Sequence, residues 1–567
     1  MFFWIIITAC LVSTISLTIT EPVDGESYDS NLLPLRVIVE NENELPDSVM
    51  YTLNGAPAIQ IPRLNTDWPT YMQNYQNHGF SESPAPMNSD TLWSAEVTGF
   101  LHQFPTPVTS EGVVYYPQDD FGEDSLLYAL DAITGEILWQ RETGASDDAV
   151  TIHGDYLYYS ASTVFCLNKH TGETIWTSDH GNAAGGTPVV VGNRVYCGKT
   201  EYRSSIISFI NCLDTNTGDI LWSDTVSGTL GSCMAYQDGL LIVPIKDGLL
   251  YAYDGVSGEV LWQNSDAVSG YWDSSPVITD GHIFINDFDG YCRAVELLTG
   301  LTVWETKVTE ALVTATPALF NGSLYFATED GPFYSLDCTS GDIRWEAPGQ
   351  CHGSAGIADG VIFYGKFGSI PPDSSAVIAL SIVDGSELWR FNTLGSVMGG
   401  LQSSPSITDG IMYYACTDGN LYAFGTGLKY TYKDDSFNAE TGSNTLIAVS
   451  WDDGNAVAAD TISFTVTQAG MNLEPSRLLR LLASPNPFIS NTSITFKLDE
   501  PGSVSLQVFD LAGRAVISLV NQEMATGEYS LNWNGFDQNG EEVSAGLYLC
   551  RIECGSVIET TGLCLLK

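Results

Sequence analysis

The 567 residues include 69 Asp and Glu against 21 Lys and Arg, a formal net charge of −48. Spread from end to end, that acidity excludes nucleic acid and anionic membrane as partners, since both repel it, and it favours cations. Hydrophobic residues make up 44% and aromatics 11%, so the charge coats folded cores, and the length demands several domains or a repeat array.

The first element is FFWIIITACLVSTISLTI, residues 2–19, uncharged, apolar and followed by Glu21 and Pro22. Such a stretch reads as a secretory signal, with a membrane anchor as the alternative, and export makes residues 1–20 a leader. Of the 12 cysteines, Cys10 goes with that leader; the others show no Cys-Cys pair and no C-x-x-C. They are expected as small buried apolar residues within strands. Residues 21–63 contain alternating stretches such as LRVIV and SVMYTL, which predict a small β-rich segment.

From residue 64 to 430 the chain repeats itself. Trp93, Trp139, Trp176, Trp222, Trp262, Trp304, Trp345 and Trp389 recur 37 to 46 residues apart, mostly closing phrases such as LYALDAITGEILW, NCLDTNTGDILW and YSLDCTSGDIRW. In the first of these, LYAL alternates as a strand, Asp131 can bond the backbone ahead of it, Thr134-Gly135 turns the chain and EILW returns. A period near that of one four-stranded sheet predicts a propeller, in which each Trp packs against the neighbouring blade. The last repeat lacks its Trp strand, while Trp93 precedes any complete unit. The strand around Trp93 should therefore complete the last blade, giving eight blades in an all-β fold and leaving no free ring edge.

The A-x-D-x-x-T-G-x-x-x-W pattern, here Ala129 to Trp139, resembles the PQQ-like propeller repeat family, and NTDWPTYMQNYQNHGFSESPAP (residues 65–86) resembles the Asp-Trp-Pro segment that leads into such propellers. The resemblance implies the fold. It leaves activity open, because the family includes dehydrogenases, assembly factors and binding proteins.

Residues 431–470 predict a further β-hairpin or small β segment, and residues 471–483 a linker. The C-terminal module, residues 484–567, has alternating strands and turn pairs such as Asn539-Gly540, the pattern of an immunoglobulin-like β-sandwich. Its Pro-Asn-Pro-Phe start, Phe509-Asp510 with Gly513-Arg514, and Gly546-Leu547-Tyr548 resemble type IX secretion C-terminal sorting domains and the related flagellar hook-capping (FlgD-like) domain. That resemblance implies an address read by export machinery, and a secreted or outer-membrane cell-surface location.

Chemistry is hard to find in the repeats. The seven histidines are dispersed, and neither H-E-x-x-H nor G-x-S-x-G occurs. The quinoprotein dehydrogenases of the resembling family hold a quinone with calcium and usually an adjacent-cysteine disulfide, which this chain lacks, so PQQ is not expected. The residues ahead of each Ser/Thr-Pro should line the channel, and there the repeats diverge: Trp272 and Asp273 in GYWDSSP, Cys351 and His352 in GQCHGSAG. An aromatic beside a carboxylate suits a sugar or a cation. Asp287 and Asp289 in NDFDGYC imitate the start of a calcium loop, although blade turns use Asp-Gly anyway. The expectation is a monomeric binding scaffold without catalysis of its own, with a polysaccharide or protein ligand at the propeller face. The alternatives are an extracellular enzyme, quinone-dependent or glycan-active, and an outer-membrane assembly scaffold.

Overall fold

The structure, a computed structural model, describes residues 16–565 except 25, 29–32, 42–47, 55–58, 98–104, 119–124, 144–147, 162, 180–185, 203–204, 267–269, 271–273, 280, 311, 330, 352, 367–374, 394–402, 417, 435–436, 438, 440–441, 453–454, 467–481, 485–490, 499–500, 511–513, 539, 541, 544–545 and 555–556. The described residues form strands and turns without a helix, and the chain divides into two compact units, residues 1–468 and 469–567.

Eight sheets of the first unit are blades, numbered here along the chain: residues 108–142, 151–178, 189–227, 235–264, 277–307, 318–348, 356–392 and 406–424. Blade 8 takes its outermost strand from Thr91–Glu96, which pairs antiparallel with Asn420–Phe424, so that Trp93 faces Ala423. The ring thus closes between an early strand and a late one, as the missing Trp strand of the last repeat predicts.

The repeated residues are spent on holding blades together. Every repeat tryptophan donates its indole N–H to a carbonyl outside its own blade's four strands: Trp93 to Ala132, Trp139 to Lys169, Trp176 to Thr215, Trp222 to Gly255, Trp262 to Leu297, Trp304 to Cys338, Trp345 to Ile382 and Trp389 to Pro86, at 2.8–3.3 Å. The first seven reach the Gly turn of the next blade, Thr-Gly or Ser-Gly in six and Asp384-Gly385 in blade 7, where the glycine serves twice. Gly258 has a φ of +75°, and a Cβ there would stand 2.6 Å from the ring of Trp222, so only glycine allows both the turn and the close indole. A tyrosine on the second strand reinforces the clamp in three blades. Tyr413 joins Trp93 on Ala132, Tyr115 joins Trp139 on Lys169, and Tyr196 joins Trp222 on Gly255. Asp131 makes the expected turn, its Oδ1 accepting the backbone N–H of Ile133 and Thr134.

The Asp-Trp-Pro lead-in segment makes a lap inside the ring. In a propeller the innermost strand has one in-sheet neighbour, so its channel-facing N–H and C=O need other partners. The central N–H of that strand is met by the carbonyl of Trp68 in blade 1 (Thr109), Pro69 in blade 2 (Ile152), Tyr75 in blade 4 (Tyr236), Gln76 in blade 5 (Ile278), His78 in blade 6 (Leu319) and Gly79 in blade 7 (Ile357). Thr66 bonds Asp409 of blade 8. The lap turns through positive φ at Met72, Gln73 and Asn77, and Asn74 Oδ1 accepts the N–H of Gln76 and His78. Trp68 and Met72 are fully buried, so the lap plugs one mouth of the channel.

The two flanks expected as separate β pieces form one small sandwich. Ser16–Glu21, Leu35–Asn41 and Leu428–Asp434 make one sheet; Ser27–Tyr28, Asn455–Val466, Gly442–Asp452, Ser48–Leu53 and Ile59–Ile61 make the other. Val37, Val39, Val49, Leu446 and Phe464 lie in its core. Leu17 and Ile19, assigned above to the leader, are buried in the same core; the alternation of SLTIT suits a strand as well as it suits the end of an apolar leader. Arg36 pairs with Asp359, Arg63 with Asp409 and Lys433 with Glu82, which seats the sandwich on the plugged mouth beside blades 7 and 8.

The second unit is a seven-stranded sandwich of a three-stranded sheet (Leu482–Ser484, Thr492–Leu498, Gly527–Trp533) and a four-stranded one (Ala515–Met524, Gly502–Asp510, Gly546–Cys554, Val557–Leu565). Trp533 is fully buried against Tyr548. The linker residues 471–481 lie outside the described residues. Cys166, Cys197, Cys212, Cys233, Cys292, Cys351, Cys416, Cys550 and Cys554 are buried, as expected of small apolar core residues.

Candidate binding face

Strand direction fixes two unlike faces. The turn after each innermost strand lies beside the plug: Asp67 accepts the N–H of Glu111, and Tyr75 meets His153. The described residues of the loops crossing from one blade to the next, and of the turns between second and third strands, lie at the opposite mouth, away from the plug and called the open mouth here. They touch there, with Phe288 N–H on Gly270 O, Glu329 N–H on Leu312 O and Cys351 N–H on Thr328 O.

The Ser/Thr-Pro residues explain the floor of this mouth. Backbone N–H groups donate to the hydroxyl at the same position of the next blade: Ser275 to Thr316 (2.8 Å), Thr316 to Ser354 (2.9 Å) and Ser354 to Ser404 (3.1 Å). In blade 4 a thiol takes the place, and Thr187 N–H reaches Cys233 Sγ at 3.4 Å. These side chains stitch blades around the channel. Tyr71 rises from the plug into the ring, bonded to Thr316 and Ser354 at 3.0 Å each, and burial pushes its phenol up to about 12. Sequence reasoning missed this tyrosine; only the lead-in segment's match pointed near it.

The candidate residues distribute unevenly. Trp272, Asp273 and His352 lie outside the described residues. Cys351 is buried in the core between blades 6 and 7, its thiol donating to Gly353 O, and burial pushes it up to about 12. Asp287 is buried, and its carboxylate is committed: Oδ2 accepts from Arg293 Nε and Nη2 at 3.1 and 2.9 Å, and Oδ1 from the backbone N–H of Asp289 and Tyr291. Arg293 also pairs with Glu305. Asp289 is exposed. This is a turn closed by an ion pair, and among the described residues no three His, Cys, Asp or Glu side chains gather as a metal site. Asp287 is therefore spent on Arg293 and on its own turn. Around the same mouth, Asp247, Asp289, Glu310, Glu329 and Asp418 carry negative charge on the loops and turns.

The family model described as outer membrane protein assembly factor BamB matches residues 123–209, 160–315, 207–349 and 289–474, together more than half of the chain. The chain belongs to this family. The FlgD Ig-like domain model matches residues 488–555. The outer membrane protein assembly factor BamB of Yersinia pestis is 22% identical over 255 residues, 41% of this chain and 62% of the relative. That of Burkholderia pseudomallei is 25% identical over 264 residues, 43% and 66% of the two chains. The chain thus spans under two thirds of the length of these curated relatives. Quinoprotein alcohol dehydrogenase PedH of Pseudomonas putida is 27% identical over 192 residues, 30% of each chain. Among solved structures, quinohemoprotein alcohol dehydrogenase from Comamonas testosteroni superposes with TM-score 0.52 at 14% identity, over 66% of this chain and 82% of that one. A europium-containing methanol dehydrogenase does so with TM-score 0.52 at 14% identity, over 65% and 98%. At such identities the likeness establishes the propeller and nothing of the chemistry.

Proposed function

We propose that the chain is an interaction scaffold of the bacterial envelope or cell surface, presenting the open propeller mouth to a protein or polysaccharide partner and exported and sorted through its C-terminal immunoglobulin-like domain. One observation carries the reading: the recurring Trp, Thr-Gly and Ser/Thr residues and the lead-in segment are consumed in joining blades and plugging one mouth. The other mouth carries the loops and turns on which Asp247, Asp289, Glu310, Glu329 and Asp418 stand. The family's printed role, outer membrane protein assembly, supports a protein partner. The acidic rim of that mouth favours a basic one. The reading assigns no catalytic residue and no cofactor.

The test places a photo-crosslinking residue at Asp289 or Glu310 on the open mouth, or at Asn321 beside the plug, in chain exposed to envelope proteins, with a glycan array run in parallel. Crosslinks from the first two positions and not the third, or glycan binding, are expected. Crosslinks equal on both faces with a silent array would refute the scaffold reading. Dye-linked alcohol oxidation after loading with quinone and calcium would replace it with the dehydrogenase reading suggested by the similarity to PedH.

A further inference from the structure

Blade 3 departs from the repeat in a way that nothing in the ring requires. Its last three strands, Arg194–Tyr202, Ile206–Asp214 and Ile220–Ser227, hold nine, nine and eight residues, whereas the corresponding strands of blades 2 and 4 hold five each. At about 3.4 Å per residue the extra length carries this sheet roughly 10 Å beyond its neighbours on the open-mouth side. The extension is built firmly: Thr200 and Ser208 share a hydroxyl bond at 2.8 Å, Ser208 donates to Gly228 O at 2.7 Å, and Leu230 bridges to Ile245 of blade 4.

The outer strand Ile220–Ser227 ends its sheet, and its outward edge is unprotected. Natural edges are blunted by shortness, by Lys or Arg, or by Pro. The outer strands of blades 2 and 4 are short, at five residues. Those of blades 1, 5, 6 and 7 carry Arg141, Lys307, Arg344 with Pro348, and Arg390. ILWSDTVS is the longest outer strand of the ring and, like the shorter TLWSAE of blade 8, has no Lys, Arg or Pro. Apolar side chains stand exposed at both ends of this edge. Leu221 is 45% and Ile220 41% exposed at its start, while Tyr202 is 65% and Ile206 42% exposed at the hairpin tip beside its finish. Asp219 stands exposed before its first residue, while Asp224 at its centre is half-buried and accepts the Tyr253 phenol O–H at 2.9 Å.

We infer that the outer edge of blade 3 is a docking site for an extended segment of a partner protein, which adds to the sheet as a fifth strand. Backbone N–H and C=O groups of Ile220–Ser227 supply the pairing along about 27 Å, and the exposed side chains at its two ends grip apolar residues of the incoming strand. The exposed Asp219, in a chain of net charge −48, selects a segment whose other residues are Lys or Arg. The inference rests on the scaffold reading above and gives it an address.

The test uses the full chain and a blocked eight-residue peptide of alternating Val and Lys as the probe. A second peptide of equal charge, with two internal valines replaced by proline, cannot form the ladder. Expected are binding of the first peptide, at least tenfold weaker binding of the second, and slowed amide hydrogen exchange confined to residues 220–227 and the hairpin tip. The variant Thr225→Lys/Ser227→Lys, which blunts the edge at two exposed positions, should weaken binding at least tenfold. Thr177→Lys/Gln263→Lys, with the same added charge on the outer strands of blades 2 and 4, should leave it within about twofold. Equal loss in both variants, equal binding of the two peptides, or protection elsewhere would overturn the inference. If the open-mouth crosslinks persist unchanged in the blunted variant while the peptide data fail, the scaffold reading stands and the edge is discarded.

Discussion

Trp93 donates its indole N–H to the carbonyl oxygen of Ala132 at 3.0 Å, and through that bond the last blade holds the first. The ring closes across this seam, between an outer strand supplied from ahead of blade 1 and a blade completed some 320 residues later. Replacing Trp93 by Phe keeps most of the packing and removes the donor, for an expected loss of about 1 kcal/mol. Trp93→Ala removes the ring itself and should cost about 3–5 kcal/mol. Urea unfolding midpoints order the three proteins, and limited proteolysis of Trp93→Ala should cut at the strand Thr91–Glu96 before any blade interior.

Two glycines of blade 6 separate backbone from packing. Gly322 has a φ of +69° with nothing within 4 Å of a built Cβ; Gly341 has a φ of +75° with the Trp304 ring at 2.6 Å. Gly322→Ala should cost only the left-handed penalty, about 1–2 kcal/mol. Gly341→Ala should cost at least about 1–3 kcal/mol more, because the indole must move. Equal thermal shifts in the two variants would contradict the docking of Trp304 on that turn.

Thr316 accepts the backbone N–H of Ser275 and the phenol O–H of Tyr71 through one hydroxyl. Thr316→Val preserves the shape and leaves a buried N–H without its acceptor, for an expected cost of about 1–3 kcal/mol. Tyr71→Phe removes the phenol together with both its bonds, while Thr316 and Ser354 keep their backbone donors, so it should cost less. Chemical denaturation of both variants checks the order.

Asp337 closes the turn of blade 6. The Arg344 guanidinium, at 2.5 Å, and the backbone N–H groups of Ser340 and Thr339 lower its carboxyl from the ordinary 3.8 to about 2. An acid whose value is lower when folded stabilises the fold above its unfolded value and loses that contribution as pH falls. The Asp337 contribution is therefore complete above pH 4–5 and disappears on descending through about pH 2. The carboxylate is solvent-exposed, so the effect is small and weakens with salt. A carboxyl titration by NMR should place its midpoint near 2, and Arg344→Ala should return it most of the way to 3.8.

The ring was legible because its physics repeats. Eight tryptophans at a blade-length spacing, seven of them docked on a Gly turn, specify one packing contact many times over, and the orphaned Trp93 gave away the closure. The lap of residues 66–79 was not legible, since its function lies in carbonyls, and main-chain groups leave no periodic trace in side-chain identity. The joined sandwich was hidden for a different reason: Leu35–Asn41 and Leu428–Asp434 pair across nearly 400 residues, and alternation announces a strand without naming its mate. Of the site candidates, Asp287 read as a cation ligand because NDFDG resembles one, and the competing cation turned out to be Arg293, six residues further on. The long hairpin of blade 3 had a signal in the wider Trp176-to-Trp222 spacing, which the irregular lengths of the other loops concealed.

The lap also sets an order of assembly. Residues 66–79 touch seven blades, Thr91–Glu96 has its mate in Asn420–Phe424, and the strands of the small sandwich before residue 61 pair with ones after residue 428. During synthesis the opening stretch therefore leaves the ribosome with only its local pairs, Ser16–Glu21 on Leu35–Asn41 and Ser48–Leu53 on Ile59–Ile61, and its other partners come only after the whole ring is made. Contacts this distant in sequence slow folding and leave apolar strands exposed in the interval. A chain that travels unfolded, and winds its propeller around its own beginning only on arrival, is spared that wait.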